Sequence, residues 1–297
     1  MCAVPLAIVV LTYNEELNLP ACLSSVQGLS ETIVVVDSGS TDRTLAIAQE
    51  FGARILTHEF ASHARQWRWA FEQLDPDTEW VLGLDADQRL SPELRTELLH
   101  LLSVDDRRLM EHDGFYLNRR QIFRGKWIHH GGYYPKYLLK LFRLSGVHLD
   151  DQDLMDHHFY VTGRLGQLRH DLVEDNVNEA NIAFWLSKHI GYAELHAQEE
   201  LSRRCNTRSW PIQPSFFGSP DQRVVWCKRL WYRMPLYARP FLYFLYRYFL
   251  LGGVLDGKQG FIFHFLQSFW YRLLVDIRLD DLLAQQSTPG SRQGRAG

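Results

Sequence analysis

The apolar positions of the first hundred residues fall into short runs separated by mixed stretches. Leu6-Ala-Ile-Val-Val-Leu11 and Thr32-Ile-Val-Val-Val-Asp37 are nearly unbroken and rich in β-branched side chains, the pattern of strands covered on both faces. Residues 53–57 and 80–84 read as two further strands. Residues 17–26, 41–51 and 63–74 between them read as helices. A fourth helix begins at Ser91-Pro92-Glu93, with a capping serine, proline at the first helical position and an early acid. Alternation at this spacing predicts an α/β fold: a mixed, mainly parallel sheet with helices on both faces. Ligands of such sheets bind beyond the carboxyl ends of the strands.

Further along, the periodicity changes. Residues 105–180 form a mixed region rich in Arg, His, Asp and Tyr, and residues 181–200 read as an amphipathic helix. A turn-rich connection follows, with Pro211, Pro214 and Pro220. Residues 223–255 then hold six Lys or Arg and ten aromatics but no acid. A second apolar run, from Phe261 to Val275, is interrupted by Arg272. Neither run reaches the roughly 18 uncharged residues of a spanning helix. Aromatics mixed with arginines favour an interfacial location, rings at headgroup depth and cations on anionic lipid. Gly252, Gly253 and Gly257 would break the segment into short helices. The alternative is an ordinary buried helical pair or a homo-oligomer interface. The tail from Gln285 is Ser-, Gly- and Gln-rich and is expected to be disordered.

Composition adds boundaries. At 46% hydrophobic and 23% charged, the chain has ample material for a core, which excludes disorder over most of its length. A formal net charge of -3 gives no general reason to expect nucleic acid. The four cysteines, Cys2, Cys22, Cys205 and Cys227, are far apart, so a disulfide framework or structural zinc site is not expected and a reducing compartment is. The first apolar run is too short for a signal peptide and lacks a basic leader, so no export is expected.

The polar clusters at the strand ends carry the chemistry. The first strand runs into Leu11-Thr-Tyr-Asn-Glu-Glu16, the second into Asp37-Ser-Gly-Ser-Thr-Asp42, the fourth into Asp85-Ala-Asp87. Gly39 allows a tight turn there, and Ser40 is placed to cap the next helix. An acid at a strand end can accept from a base N–H or a ribose hydroxyl. Two carboxylates one residue apart repel unless a cation sits between them. Mg²⁺ commonly takes one or two carboxylates plus substrate phosphates.

Taken together, Leu11-Thr-Tyr-Asn-Glu-Glu16, Val35-Val-Asp-Ser-Gly-Ser-Thr-Asp42 and Leu84-Asp-Ala-Asp87 closely resemble the inverting glycosyltransferases of family 2. The likeness is greatest to the branch that makes lipopolysaccharide core and exopolysaccharide. The resemblance implies a GT-A fold, a nucleotide-sugar donor and Mn²⁺ or Mg²⁺. By it, Thr12, Asn14, Glu15 and Asp37 line the nucleoside pocket, Asp85 faces ribose or diphosphate, and Asp87 ligates the metal. Residues 1–180 would be the catalytic domain, with a nucleotide-sugar half over about 5–102 and an acceptor half over about 103–180. Residues 181–284 would be the helical, interfacial region and 285–297 the tail. Two departures stand out. Asp37-Ser38 replaces a pair of acids, leaving the base contact to Asp37, and Gln88 stands where many relatives carry Glu. Gln66-Trp-Arg-Trp-Ala70 resembles a helix of the branch with Arg68 in place of Asn. Arg65 and Arg68 are candidates to touch the diphosphate, or are solvated helix-face charges.

An inverting transfer needs a carboxylate to take the proton from the acceptor hydroxyl. Asp150, Asp151, Asp153, Asp156, Asp171, Glu174 and Asp175 are candidates. Met155-Asp-His-His-Phe159 resembles the branch's Asp-Glu-His-Phe, which selects Asp156. The pairs His129-His130 and His157-His158 lack zinc-site spacing, and His170 either helps to position the acceptor or the diphosphate or is a hydrogen-bonded structural residue. Lys140 and Arg143 are placed to meet an anionic acceptor or are surface charges. Leu255-Asp-Gly-Lys-Gln-Gly-Phe261 resembles a segment of membrane-associated relatives, and the motifs of processive members are missing. The resemblance thus implies transfer of a single sugar, from a UDP-sugar, to a lipid-linked or polysaccharide acceptor. The enzyme would be peripheral on the cytoplasmic face of the inner membrane. A sugar nucleotidyltransferase and a catalytically silent scaffold are the rival readings. The nucleotidyltransferase would need a glycine-rich loop after the first strand, where Thr12-Tyr-Asn-Glu stands.

Overall fold

The computed structural model describes residues 4–103, 106–149, 158–205, 210 and 212–287. The chain divides into two compact units, Met1–Asn181 and Ile182–Gly297.

In the first unit, β1 (Leu6–Thr12), β2 (Thr32–Asp37), β3 (Arg54–Thr57) and β4 (Trp80–Asp85) form the parallel half of a sheet. The helices between them are α1 (Leu19–Val26), α2 (Thr44–Glu50) and α3 (His63–Glu72). A short β5 (Gln88–Leu90), α4 (Pro92–Leu101) and α5 (Arg107–Glu111) follow. The middle region supplies β6 (Gly114–Phe123), β7 (Lys126–Trp127), β8 (Tyr137–Arg143), β9 (Val147–Leu149), β10 (Phe159–Val161) and β11 (Leu165–Glu174). The large sheet runs β3-β2-β1-β4-β8-β6-β11-β5, with β7 on β6, while β9 and β10 pair separately.

Alternation along β1 explains the two-sided packing. Leu6, Ile8 and Val10 join a core with the apolar faces of α1, α2 and α4, whereas Ala7 and Val9 join another with Trp67 and Ala70 of α3. The α/β sheet covered on both faces thus holds. Its unbroken parallel run ends at β4, because β8 runs antiparallel to both β4 and β6, although β6 and β11 pair in parallel again beyond it. That reversal leaves β6 and β11 parallel to β4, so the ends of all three reach the same edge as the strand-end clusters.

Helix α4 starts as its sequence dictates, with the Ser91 hydroxyl accepting from Leu94 N–H at 3.1 Å. Helix α2 does not. It begins at Thr44, three residues later than the pattern suggests, and Ser40 does not cap it. The Asp42 carboxylate instead accepts from Thr44 N–H at 2.9 Å, and Ser40 serves the loop.

The second unit is helical: α6 (Ile182–Arg204), α7 (Pro220–Trp231), α8 (Ala238–Leu245), α9 (Gly257–His264) and α10 (Tyr271–Ser287). Helix α7 opens with a capping box between Ser219 and Gln222. Both α8 and α9 continue into π-helical turns, Tyr246–Leu250 and Phe265–Trp270. Gly252, at φ 72°, reverses the chain between them. Residues 285–287 belong to α10 rather than to a disordered tail. No helix among the described residues is long and apolar enough to cross a membrane.

One expectation for this unit is corrected. Arg239 is not a cation offered to lipid: it is fully buried, bonded to Glu200 of α6 at 2.7 and 3.0 Å and to Asp276 of α10 at 2.8 Å. Two buried carboxylates from different helices need a cation between them, and Arg239 supplies it.

Candidate active site

Three strand-end loops meet at the carboxyl edge of the sheet, and their own side chains hold them together. The β1–β2 register places Thr12 beside Asp37. The Thr12 hydroxyl donates to Asp37 Oδ1 at 3.0 Å, while Gly39 N–H and Ser40 N–H donate to Oδ2 at 2.9 and 2.8 Å. The Ser40 hydroxyl also donates to this carboxylate. Asp37 has no exposed surface. What its carboxylate contributes here is the shape of the loop, and Gly39 at φ 93° permits that turn.

The loop after β1 is fastened to the same turn. Asn14, at a left-handed φ of 54°, donates its N–H to Ser40 Oγ at 2.8 Å and accepts Thr41 N–H on Oδ1 at 2.8 Å. Glu15 N–H donates to Thr44 Oγ1 at 2.8 Å, and Glu16 N–H donates to Asp42 Oδ2 at 3.1 Å. Asp42 has a matching electrostatic signature. Burial opposes its ionisation, but the Thr44 hydroxyl and N–H and the Glu16 N–H outweigh burial and hold it below the ordinary 3.8.

The Asp85-Ala86-Asp87 turn stands on the other side. Lys140 of β8, only 4% exposed, places Nζ 3.0 Å from Asp85 Oδ2. Lys140 is therefore not a surface charge; it is the built-in counter-charge of the acidic turn. Arg143 sits over the Trp80 ring at 4.7 Å and beside Glu79. Asp87 Oδ2 accepts from Asn176 Nδ2 at 3.2 Å.

A short chain of amides then closes the ring. Asn18 of the loop before α1 donates to Glu15 Oε2 at 2.6 Å and to Asn176 Oδ1 at 3.2 Å, and accepts Val177 N–H at 2.9 Å. Asn18 and Asn176 thus couple the β1 loop to the segment after β11 and to Asp87. The field of the cluster is legible at Cys22 beneath it. Burial pushes that thiol far up, Asp87, Asp85 and Glu15 push it further in that order, and Lys140 opposes them.

The remaining candidates are placed as follows. Arg65 and Arg68 are exposed on α3. Gln66 of that helix reaches the loops, donating to Ser38 Oγ at 3.1 Å and pairing with His58 Nδ1 at 2.7 Å. Arg68 is two residues on, roughly 200° round the helix, and so faces away from that contact. Asp171 is held by Asn118 at 2.8 Å, Arg120 at 2.6 Å and Tyr134 at 3.1 Å. Glu174 pairs with Arg119 at 2.9 Å, Asp175 with Arg89 at 3.0 Å and His170 with Glu97 at 2.9 Å. Asp150, Asp151, Asp153, Asp156 and His157 lie outside the described residues.

Gln88 is buried, accepts Asp85 N–H on Oε1 at 3.2 Å and donates from Nε2 to Glu174 at 2.9 Å. Glutamate there would confront a second carboxylate; the amide turns that repulsion into a bond. Sequence reasoning missed Asn18, Asn176 and the pairing of Lys140. Only the lone lysine in an apolar strand, Tyr137–Arg143, hinted at a buried partner.

Among the described residues no three His, Cys, Asp or Glu side chains converge to hold an ion by themselves. The donor set still fits a hard divalent cation shared with a substrate: carboxylate oxygens on one turn, in a field that remains acidic beside Lys140. A carboxylate offers about four acceptor sites, so the bond from Asn176 does not preclude ligation by Asp87.

The sequence is similar to those of known glycosyltransferases. The chain is 35% identical over 94 residues to an uncharacterized glycosyltransferase of Rickettsia conorii, covering 32% of this chain and 33% of that protein. It is 36% identical over 107 residues to the lipopolysaccharide core biosynthesis glycosyltransferase LpsC of Rhizobium meliloti, covering 34% and 38%. The match thus spans about a third of the length of these curated relatives. Glucosyl-3-phosphoglycerate synthase from Mycobacterium tuberculosis, solved with Mn²⁺, UDP-glucose and phosphoglyceric acid, superposes with a TM-score of 0.33 at 19% identity over 40% of this chain and 44% of that one. The model of glycosyl transferase family 2 matches residues 7–165, more than half of the sequence. The chain belongs to glycosyl transferase family 2.

Proposed function

We propose that this protein is an inverting, metal-dependent glycosyltransferase that moves a single sugar from a nucleotide-sugar to a hydroxyl of a lipid-linked, lipopolysaccharide or exopolysaccharide acceptor. A UDP-sugar is the first donor to test. The observation that carries the reading is the closure of three strand-end loops around Asp85 and Asp87, through Asn18, Asn176 and Lys140. Membership of the family supports it.

In this reading the rigid loops at Thr12–Glu15 and Asp37–Asp42 shape the nucleoside pocket, and the exposed ring of Tyr13 is available to stack on a base. Asp85, oriented by Lys140, faces the ribose or the diphosphate. Asp87, oriented by Asn176, holds Mn²⁺ or Mg²⁺, which when bound neutralises charge on the departing diphosphate. Asp156 takes the proton from the acceptor hydroxyl. Consistent with that assignment, Asp171, Glu174 and Asp175 are each tied to an arginine. The acceptor places the enzyme at the cytoplasmic face of the membrane.

The test is thermal stabilisation by a panel of nucleotide-sugars with and without Mn²⁺, since a ligand that binds the folded state raises its apparent stability. The parent should be stabilised by one donor, more strongly with the ion. Asp87→Ala should keep its fold, lose the ion's effect and lose turnover by about a hundredfold or more. Near-normal turnover by that variant would overturn the metal assignment.

A further inference from the structure

The second unit has a surface that glycosyl transfer itself does not use. The arms of a helical hairpin, 241–250 and 257–270, lie side by side along an aromatic seam. Phe244 meets Phe265 and Phe269 at ring separations of 6.0 and 6.4 Å, and Tyr248 meets Phe261 at 5.6 Å. Around that seam the outer side chains are apolar as well. Phe241, Leu242 and Tyr246 are exposed on one arm and Phe261 and Phe265 on the other. At the turn Phe249 is 57%, Leu250 78% and Leu255 69% exposed. A helix pair that is apolar on its inner and outer faces has no water-facing side, and an exposed apolar surface of this extent marks a binding surface.

Charge distinguishes the kind of partner. Between Gln222 and Val275 the sequence holds eight Lys or Arg and a single acid, Asp256. That acid is withdrawn from the surface. Asp256 is 3% exposed and lies 3.8 Å from the Nε2 of the fully buried His264. Two glycines make room for the pair. A Cβ on Gly253 would stand 2.6 Å from His264 Nε2, and one on Gly260 would collide with Asp256 Cβ. What remains outside is apolar turn residues beside two cations, the exposed Lys258 on one arm and, on the other, the half-buried Arg247, which donates to the Tyr243 hydroxyl at 2.6 Å. Exposed apolar residues bordered only by positive charge complement acyl chains beneath anionic headgroups.

We propose that this hairpin docks on an anionic lipid bilayer, with the turn from Phe249 to Leu255 inserted among the acyl chains and Arg247 and Lys258 at headgroup depth. The inference rests on the reading of the acceptor as lipid-linked, and it names the surface that brings the enzyme to such an acceptor. The buried Asp256–His264 pair fixes the turn and keeps negative charge off it.

The test is co-sedimentation of the full chain with vesicles of equal parts phosphatidylglycerol and phosphatidylcholine, and with phosphatidylcholine alone. The parent should bind the anionic vesicles more tightly, and less so as salt rises. The double variant Leu250→Glu, Leu255→Glu should bind about tenfold or more weakly. Both sites are exposed, so its thermal stabilisation by the nucleotide-sugar should match the parent. Equal vesicle binding by variant and parent, or no preference for anionic lipid, would sink the proposal. So would a parent dimer, detected by light scattering, that the two substitutions convert to monomer, because the patch would then face a second copy. Failure of every nucleotide-sugar to stabilise the parent would overturn the glycosyl-transfer reading while leaving the vesicle result standing.

Discussion

Gln88 shows how one side chain settles a local electrostatic conflict. Its amide bridges Asp85 N–H and the Glu174 carboxylate beneath the acidic turn, fully out of water. Gln88→Glu leaves size unchanged and replaces a donor with a charge facing Glu174. It should lower stability by about 1–3 kcal/mol, read from the urea midpoint. Asp42 makes the complementary prediction in pH. Its folded pKa is depressed below the ordinary 3.8, so the stability it contributes is complete above that value and is lost as pH falls through the lower, folded one. The stability gap between the parent and Asp42→Asn should therefore hold steady near neutrality and narrow in acid below about pH 4. A gap that persists unchanged to pH 2 would mean that the ionised carboxylate is not what ties Thr44 to Glu16.

At the scale of elements, the buried charges of the helical unit decide which helices stay together. Arg239 at the start of α8 joins Glu200 of α6 to Asp276 of α10, and α7 contributes the Trp231 carbonyl at 3.2 Å. Arg239→Met would leave the buried Asp276 without its arginine and Glu200 with Arg204 alone, and breaking a buried pair typically costs about 3–5 kcal/mol. The helical signal of this variant should melt earlier in denaturant; unchanged melting would show that the network is dispensable. Sequence pattern reads a helix over 181–200 and a helical region after it, but not this bond. Arg239 looks from its neighbours like one more cation in an aromatic, acid-free stretch, and its acidic partners lie 39 and 37 residues away.

For the whole molecule, the residues that close the candidate site all belong to the first unit, which carries both of the sheet's apolar cores. A fragment ending at Asn181 should fold and keep nucleotide-sugar-dependent stabilisation, while losing vesicle binding. A fragment that folds but no longer responds to any donor stabilising the full chain would refute this assignment. Much of the unit was legible beforehand. β2 occupies the predicted run, β1 and β4 each extend one residue beyond theirs, and the start of α4 follows from Ser91 and Pro92. Such features depend on side-chain period and on backbone chemistry within a few residues, which a linear pattern carries in full. The three acidic clusters and the family resemblance were likewise local. Other features depended on where distant residues came to rest: Asp37 turned inward under four donors, Lys140 facing Asp85 across 55 residues, and Asn176 reaching Asp87 across 89. Sequence by itself determined the alternation of elements, the strand ends at which chemistry gathers and the acid-free aromatic third. Tertiary structure alone decided which charges neutralise one another, because desolvation and pairing act through space between strands and helices that the order of residues does not bring together.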